Sequence, residues 1–285
     1  MSDQAATLRK MMNSGNESRT RIIAIGSGKG GVGKTNITVN LGLALQKLGK
    51  RVLVMDVDLG MANVDILLGL TPSYNLNHIL KGKCNFEEAL LEGPEGLHIL
   101  PGTSGMEDLV NISSREVSRL LEASSRMEEN YDLILLDIGA GLHRSIINFL
   151  LASDEVLIVL TPEPTAIMDA YSLIKILSSR NYEKEVGIII NQVSSREEAK
   201  KIGRRMDRVI NQYLDLELDL EVSVPFDSHV QKCVRRQSPV IVDYPDSEAG
   251  VAIHDLACEL IDRKKEKKSR GMKGFMYRVL GMFNR

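Results

Sequence analysis

The stretch Gly28-Lys29-Gly30-Gly31-Val32-Gly33-Lys34-Thr35 decides the fold class of this sequence. It matches the pattern GxxxxGK[ST], directly follows an apolar segment at 22–25 and opens a helical segment at 35–48. A strand, a glycine-rich turn and a helix in this order form a loop whose backbone N–H groups surround a polyphosphate. The motif therefore predicts a nucleotide-binding loop in which Lys34 contacts the β- and γ-phosphates and Thr35 binds Mg²⁺.

Short apolar segments alternate with segments of helical period along most of the chain. Seven of them have the continuous apolar character of strands covered on both faces: 22–25, 52–55, 97–100, 133–136, 156–160, 186–190 and 220–224. Helical periodicity predicts helices between most of these strands, at 35–48, 115–129, 165–177 and 197–213. The alternation predicts an α/β fold with a doubly wound, mostly parallel sheet flanked by helices on both faces. In such a fold, ligands bind at the carboxyl ends of the strands.

Lys29 relates this loop to a known class of nucleotide hydrolases. An ordinary phosphate loop does not need a cation just after its first glycine, and the KGGVGKT form resembles the MinD/ParA class of deviant Walker A ATPases. In that class, the corresponding lysine reaches across an ATP-sandwich homodimer and neutralises charge on the partner's phosphates. The resemblance thus implies an ATP-dependent homodimer in which Lys29 and Lys34 both serve catalysis.

The same resemblance assigns the acidic residues that follow two strands. Asp58 corresponds to the aspartate that orients or deprotonates the attacking water, and Asp137 to the Walker B carboxylate that holds Mg²⁺ through water. Gly139 is expected to sense the γ-phosphate, and the nucleotide contacts extend along the loop to Asn36. Ile138 stands where the class often has proline, which is a mild departure. ATP and Mg²⁺ are the implied cofactors.

Two strand ends on the other side of the sheet are expected to hold the base. Asn191 directly follows the strand at 186–190, and Pro225 and Asp227 follow the strand at 220–224. In the resembling class, an asparagine and a proline-containing loop at these places cradle the adenine. Ordinary strand-end turn residues are the alternative interpretation.

Residues 271–285 read as a basic amphipathic helix. Its apolar residues fall within an arc of roughly 160° at helical period, and those predicted to contact a membrane are Met272, Phe275, Met276, Val279, Leu280 and Phe283. Residues 261–285 carry nine Lys/Arg and two Asp/Glu, a local charge of +7 in a chain of net charge −2. A helix of this length is too short to span a bilayer but suits its anionic interface, where Lys273 and Arg278 would reach headgroups. Packing on the domain's own core or on a partner groove is the alternative.

The N-terminal residues narrow the resemblance. Asp3-Gln4-Ala5-Ala6-Thr7-Leu8-Arg9, the MinD-like domain and the basic tail together resemble the FlhG family (also called YlxH or FleN) over essentially the whole chain. These are MinD-like ATPases that govern flagellar number and placement. The resemblance implies that Asp3, Gln4, Leu8 and Arg9 dock on an FlhF-type GTPase and stimulate it, and that flagellar switch (C-ring) proteins are further partners. The implied organisation is an arm at 1–20, an ATPase domain at 21–261, a basic hinge at 262–270 and the membrane helix at 271–285.

Composition and charge separate the remaining alternatives. With 43% hydrophobic and 26% charged residues the chain is an ordinary globular protein, and its three cysteines form no CxxC pair, so a reduced cytoplasmic protein is expected. A ParA-like partition ATPase binds DNA and needs a positively charged body. The charges of this chain outside residues 261–285 sum to −9, so we expect no specific binding of nucleic acid. An iron-protein-like reductase needs cysteines near Asp137, and a non-hydrolysing scaffold would not need Lys29, Lys34 and Asp58. A division-site MinD, which lacks the arm, stays the main alternative. The ATP state is expected at the inner face of the cell membrane.

Overall fold

The structure is a computed structural model, and it describes residues 20–58, 63–102, 113–180, 182, 184–214, 216–263, 269 and 271–283. The predicted arm therefore lies outside the described residues except for Thr20. Of the predicted hinge, the described residues are 262, 263 and 269.

The strands lie where the apolar segments predict them. They are β1 (Arg21–Ser27), β2 (Val52–Val57), β3 (Leu91–Glu92), β4 (His98–Leu100), β5 (Leu133–Ala140), β6 (Glu155–Leu160), β7 (Glu185–Val193) and β8 (Leu220–Pro225). The seven predicted strands are all present, and the two-residue β3 is an addition that is too short to leave a periodic signal.

The helices include the four predicted ones and several shorter ones. They are α1 (Lys34–Lys47), α2 (Val64–Leu68), α3 (Leu76–Leu80), α4 (Phe86–Ala89), α5 (Ser114–Asn130), α6 (Arg144–Ala152), α7 (Pro164–Ser179), α8 (Arg196–Tyr213), α9 (Ser228–Arg236), α10 (Val240–Asp243), α11 (Glu248–Asp262) and α12 (Gly271–Phe283).

The described strands form one sheet with the order β3-β4-β2-β5-β1-β6-β7-β8. Neighbouring strands pair in parallel except β3 and β4, which pair antiparallel. The three strands at the centre, β2, β5 and β1, are followed by the two acidic segments and the phosphate loop, so their carboxyl ends bring these segments together. The predicted doubly wound, mostly parallel sheet is confirmed.

Helices cover both faces of this sheet and enclose two cores. Alternate residues of β1 show the division, because Ile22 and Ala24 belong to one core and Ile23 and Ile25 to the other. Helices α3 to α8 and α12 contribute to the first core, while α1, α2, α9, α10 and α11 contribute to the second. Burial on both faces explains why the strands read as continuous apolar runs rather than alternating ones.

Helix α12 packs on the body of the protein, against α5, α6 and β1. The sequence analysis prefers a membrane as the cover for its apolar face; in this structure that face is instead buried in the first core. The side chains of this face that are at most 2% exposed are Met272, Phe275, Met276, Val279 and Leu280. Phe275 lies against Phe149 with ring centroids 6.1 Å apart. Phe283 ends the helix, and its side chain lies outside the description.

Four residues, which we call the tail junction, fasten this helix at the edge of the sheet where β1 and β6 begin: Thr20, Asp154, Ser269 and Arg278. The Ser269 hydroxyl lies 2.6 Å from both the Thr20 carbonyl oxygen and Asp154 Oδ2, and it accepts the Gly271 N–H. Arg278 Nη2 lies 3.4 Å from Asp154 Oδ1. In this structure the Arg278 guanidinium therefore contacts a carboxylate of the body, and its contact with lipid headgroups stays a prediction. Among the described helices, none has the length and apolar content to cross a bilayer.

Candidate nucleotide-binding site

The glycine-rich loop turns between β1 and α1 as the motif predicts. Gly31 and Gly33 have φ angles of 80° and 89°, a region that favours glycine. At Gly28, a Cβ would lie 2.5 Å from a backbone carbon of Asp169 in α7, so the loop packs too closely for a side chain. The loop and the first turn of α1 line a cavity of about 500 Å³.

Three side chains of α1 converge on Asp137, and the residues Lys34 and Thr35 among them also line this cavity. Lys34 Nζ lies 2.6 Å from Asp137 Oδ1, Thr35 Oγ1 lies 2.7 Å from Oδ2, and Thr38 Oγ1 lies 3.1 Å from Oδ1. Asp137 is fully buried and Lys34 is nearly so. The cluster brings together the loop lysine, the threonine hydroxyl that is expected to bind Mg²⁺, and the Walker B carboxylate.

The donors at this place fit a magnesium nucleotide. Hydroxyl and carboxylate oxygens are the ligands that Mg²⁺ prefers, and it usually keeps several waters and phosphate oxygens as its other ligands. Thr35 would hold the ion directly and Asp137 through water, while Lys34 would exchange the carboxylate for phosphate oxygens. The bound ion supplies neutralisation of phosphate charge.

Asp56 organises the acidic segment that follows β2. It is paired in register with Asp137 on the neighbouring strand, and burial together with that second carboxylate raises the pKa of Asp56 to about 6. Its carboxylate accepts the backbone N–H groups of Asp58, Asn63 and Val64 at 2.9, 2.9 and 3.2 Å. At neutral pH these three bonds fix both ends of the 58–64 segment to the sheet.

Asp58 reaches the phosphate cavity beside the turn after β5. Its Oδ2 lies 3.3 Å from Asn63 Nδ2, and a Cβ placed at Gly139 would lie 3.0 Å from its Oδ1. Glycine at 139 therefore leaves room for the carboxylate, and the segment after β2 meets the last residues of β5 beside the cavity. Asp58 and Asn63 both line the cavity with the loop residues, which puts an ionisable oxygen where a water can be oriented.

Lys29 lies on the rim of the loop rather than among the residues that line the cavity. Its ammonium group donates to Glu163 Oε2 at 2.7 Å and to Thr165 Oγ1 at 3.1 Å. Glu163 directly precedes α7, and both partners are exposed. The second loop cation is thus held beside the site by its own chain, not inside it.

A second cavity, of about 380 Å³, shares Gly33 and Asn36 with the first and is lined by Asn191, Pro225 and Asp227. These are the residues assigned to the base in the sequence analysis, and that assignment stays a prediction. Two of these residues have other bonds. Asn191 Nδ2 donates to the Val32 carbonyl at 2.8 Å, so its amide holds the phosphate loop.

Asp227 is the N-cap of α9, and it accepts the backbone N–H of His229 at 2.8 Å and that of Ala249 at 3.2 Å. Although burial opposes it, these hydrogen bonds hold the pKa of Asp227 below its ordinary value. A base contact by Asp227 stays a prediction, and in this structure the carboxylate caps α9.

Comparison with known proteins agrees with this geometry. A family model for the AAA domain matches residues 20–188. The chain is 39% identical over 247 residues to the antiactivator FleN of Pseudomonas aeruginosa, covering 87% of this chain and 88% of FleN. It is 36% identical over 292 residues to the flagellum site-determining protein YlxH of Helicobacter pylori, covering 98% of this chain and 99% of YlxH. The chain is a MinD/ParA-type ATPase of the FlhG family.

A solved structure connects this FlhG-family chain to a bound nucleotide. The septum site-determining protein MinD of Pyrococcus horikoshii OT3, complexed with Mg-ADP, aligns with a TM-score of 0.67 and 29% identity over 85% of this chain and 96% of that one. Magnesium and adenine nucleotide are the cofactors of the family, and the convergence of Thr35 and Lys34 on Asp137 fits them.

Sequence reasoning about this FlhG-family site missed residues whose partners are distant in the chain. Glu163 and Thr165 contact Lys29 from 134 and 136 residues away. Their signal was their place just after β6, since carboxyl ends of parallel strands share one edge of the sheet. Asn63 was assigned no role, because its side-chain contact with Asp58 is not specified by any spacing in the sequence.

Proposed function

We propose that this chain is an ATP-hydrolysing switch that dimerises around two nucleotides and regulates flagellar number and placement. In the ATP state it binds the inner face of the cell membrane through α12, and through its N-terminal arm it stimulates an FlhF-type GTPase. The flagellar assignment is supported by the similarity to FleN and YlxH. The observation that carries the switch itself is the location of Lys29 on the rim of a complete phosphate site.

The position of Lys29 favours a role in a second copy of the chain. Lys34, Thr35 and Asp137 already satisfy the needs of one phosphate site, and Lys29 is held outside it by Glu163. A cation on the rim adds charge neutralisation to a facing site, as an arginine finger does in trans.

Lys29→Ala is expected to remove the nucleotide-dependent dimer and keep nucleotide binding. In sedimentation velocity with a non-hydrolysable ATP analogue, the dimer dissociation constant should rise roughly tenfold or more, because an opposite charge at the interface is lost. Glu163→Gln is the matched control: it breaks the same ion pair but leaves the lysine, so it should still dimerise. Equal loss of dimer in both variants would contradict the role of Lys29.

Membrane binding and docking of α12 on the body compete for the same side chains. Five of the six predicted membrane residues are buried against the body, and each such side chain contributes about 1.5–3 kcal/mol when removed from water. The helix cannot use that apolar face in both places, so we propose that the ATP state releases it. A released pair of helices on one dimer binds a membrane with the avidity of two linked sites.

We propose that the N-terminal arm has a second function, the stimulation of a partner GTPase. Thr20 belongs to the body, because its hydroxyl lies 2.8 Å from the Tyr131 carbonyl oxygen and it is buried. The arm available for a partner therefore comprises residues 1–19, one residue less than the predicted range. Its glutamine, Gln4, is able to orient an attacking water in the partner's site without changing protonation.

Deleting residues 1–19 should leave ATP hydrolysis within about twofold and abolish stimulation of the FlhF-type GTPase from the same genome. The measurement is the GTPase rate with full-length protein, the deletion variant and a synthetic peptide of residues 1–19. Restoration by the wild-type peptide but not by one with Gln4→Ala would support the arm. Full stimulation by the deletion variant would overturn it and favour a division-site role.

A further inference from the structure

Three non-glycine residues among those described have a left-handed backbone: Glu95 at φ 55°, Gln192 at φ 61° and Gln237 at φ 54°. Gln237 ends α9, the position where helices usually place glycine because it has no Cβ to clash. A non-glycine residue in this conformation costs local stability, and such residues are concentrated at functional sites, so the contacts of each one decide whether it has a role there. Gln237 lines the phosphate cavity, whereas Glu95 is an exposed residue between β3 and β4.

The Gln237 side chain connects α9 to α2. Its Nε2 donates to the Ile66 carbonyl at 2.8 Å, and a Cβ at Gly69 would lie 2.9 Å from its Oε1. The amide therefore covers the last turn of α2, whose five residues give that helix little stability of its own.

Helix α2 continues the segment that carries Asp58. Asp56 holds the start of this helix through the N–H groups of Asn63 and Val64, and Asn63 in turn contacts Asp58. Gln237 holds the opposite end. Helix α2 is thus fixed at both ends by side chains that contact its backbone groups.

We infer that Gln237 is a positioning residue for ATP hydrolysis, acting through α2 to hold Asp58 over the phosphate cavity. It touches no reacting atom itself. Because α9 also lines the second cavity with Val230, Gln231 and Val234, Gln237 connects that cavity to the Asp58 segment. The inference rests on the proposed hydrolysis, so its test needs a measurement that does not depend on turnover.

Gln237→Gly separates positioning from stability because it relieves the backbone and removes the amide together. We expect an unchanged or higher Tm, an ADP Kd within about twofold, and a kcat lower by about tenfold or more with little change in KM. Gln237→Glu keeps the length of the side chain but offers no donor to the Ile66 carbonyl, so it should lower kcat similarly.

Glu95→Gly is the matched control, since it gives the same backbone relief at a place remote from the site. Glu95 offers its carbonyl oxygen to Gln46 Nε2, and glycine preserves that bond. The control should raise Tm or leave it unchanged, with kcat equal to that of the wild type.

Amide hydrogen exchange over residues 64–69 completes the test and does not need turnover. Faster exchange there in Gln237→Gly than in the wild type and in Glu95→Gly supports the inference. Unchanged exchange, or a kcat within about twofold of an active wild type, overturns it. If the wild type itself does not hydrolyse ATP, the proposed function fails, and the exchange result still decides whether Gln237 holds α2.

Discussion

Asp58→Ala is expected to lower kcat for ATP hydrolysis by on the order of 10²–10⁴-fold, the usual contribution of a positioned general base. Lys34, Thr35 and Asp137 bind one another and not Asp58, so phosphate binding does not depend on the lost carboxylate. ATP-dependent dimers should therefore persist while turnover falls by this factor. Single-turnover phosphate release and sedimentation with ATP measure the two properties on the same sample.

Two further variants show whether the carboxylate or the shape of the segment matters. Asp58→Asn keeps the size of the side chain and the contact with Asn63 but removes the charge, so it should be nearly as inactive as the alanine variant. Asn63→Ala keeps the charge and removes an orienting donor, so a smaller loss of kcat is expected. An Asp58→Ala protein with wild-type turnover would remove Asp58 from the reaction.

The fold and the phosphate site could be predicted because both depend on short-range patterns. Strands buried on two faces leave continuous apolar runs, and the loop glycines with Lys34 and Thr35 stand at fixed spacing between a strand and a helix. The convergence of Asp137 on this loop follows from the shared carboxyl edge of neighbouring parallel strands. These features needed no knowledge of distant packing.

The features that could not be predicted depend on contacts between residues that are distant in the chain. Asp227 has the residue type of a ligand and also of an N-cap. Its cap contact with the His229 N–H is local, whereas its second bond, to the Ala249 N–H of α11, joins residues 22 positions apart and leaves no pattern in the sequence. The sequence of an amphipathic helix shows that its apolar face must be covered, but it does not show what covers it. The sequence of α12 therefore fits binding to a bilayer and packing against α5 and α6 equally well. In this structure the contacts of Arg278 and Ser269 with Asp154 accompany packing on the body.

Asp154→Asn is expected to release α12 without nucleotide. Asp154 is the one member of the tail junction that lies on the body and contacts both Ser269 and Arg278 of the tail. Hydrogen bonds to charged groups contribute about 1.5–3 kcal/mol, which corresponds to about a tenfold or larger shift from docked to released helix when the charge is lost. The tail sequence is untouched, so its intrinsic affinity for lipid stays the same.

The measurement is co-sedimentation with anionic liposomes in the absence of ATP, where wild-type protein should stay largely in solution. Asp132→Asn is the matched control, because Asp132 directly precedes β5 as Asp154 directly precedes β6, and both strands flank β1. Asp132 pairs with Arg51 and not with the tail, so its variant loses the same charge from the same edge of the sheet without releasing the helix. Adding Phe275→Gln and Val279→Gln to Asp154→Asn should return the protein to solution, since lipid binding needs the apolar face.

Equal partitioning of Asp154→Asn and Asp132→Asn, with both folded, would mean that the junction does not control the tail. Apolar packing against α5 and α6 would then be enough to hold α12 on the body. ATP would have to release the helix by changing that packing.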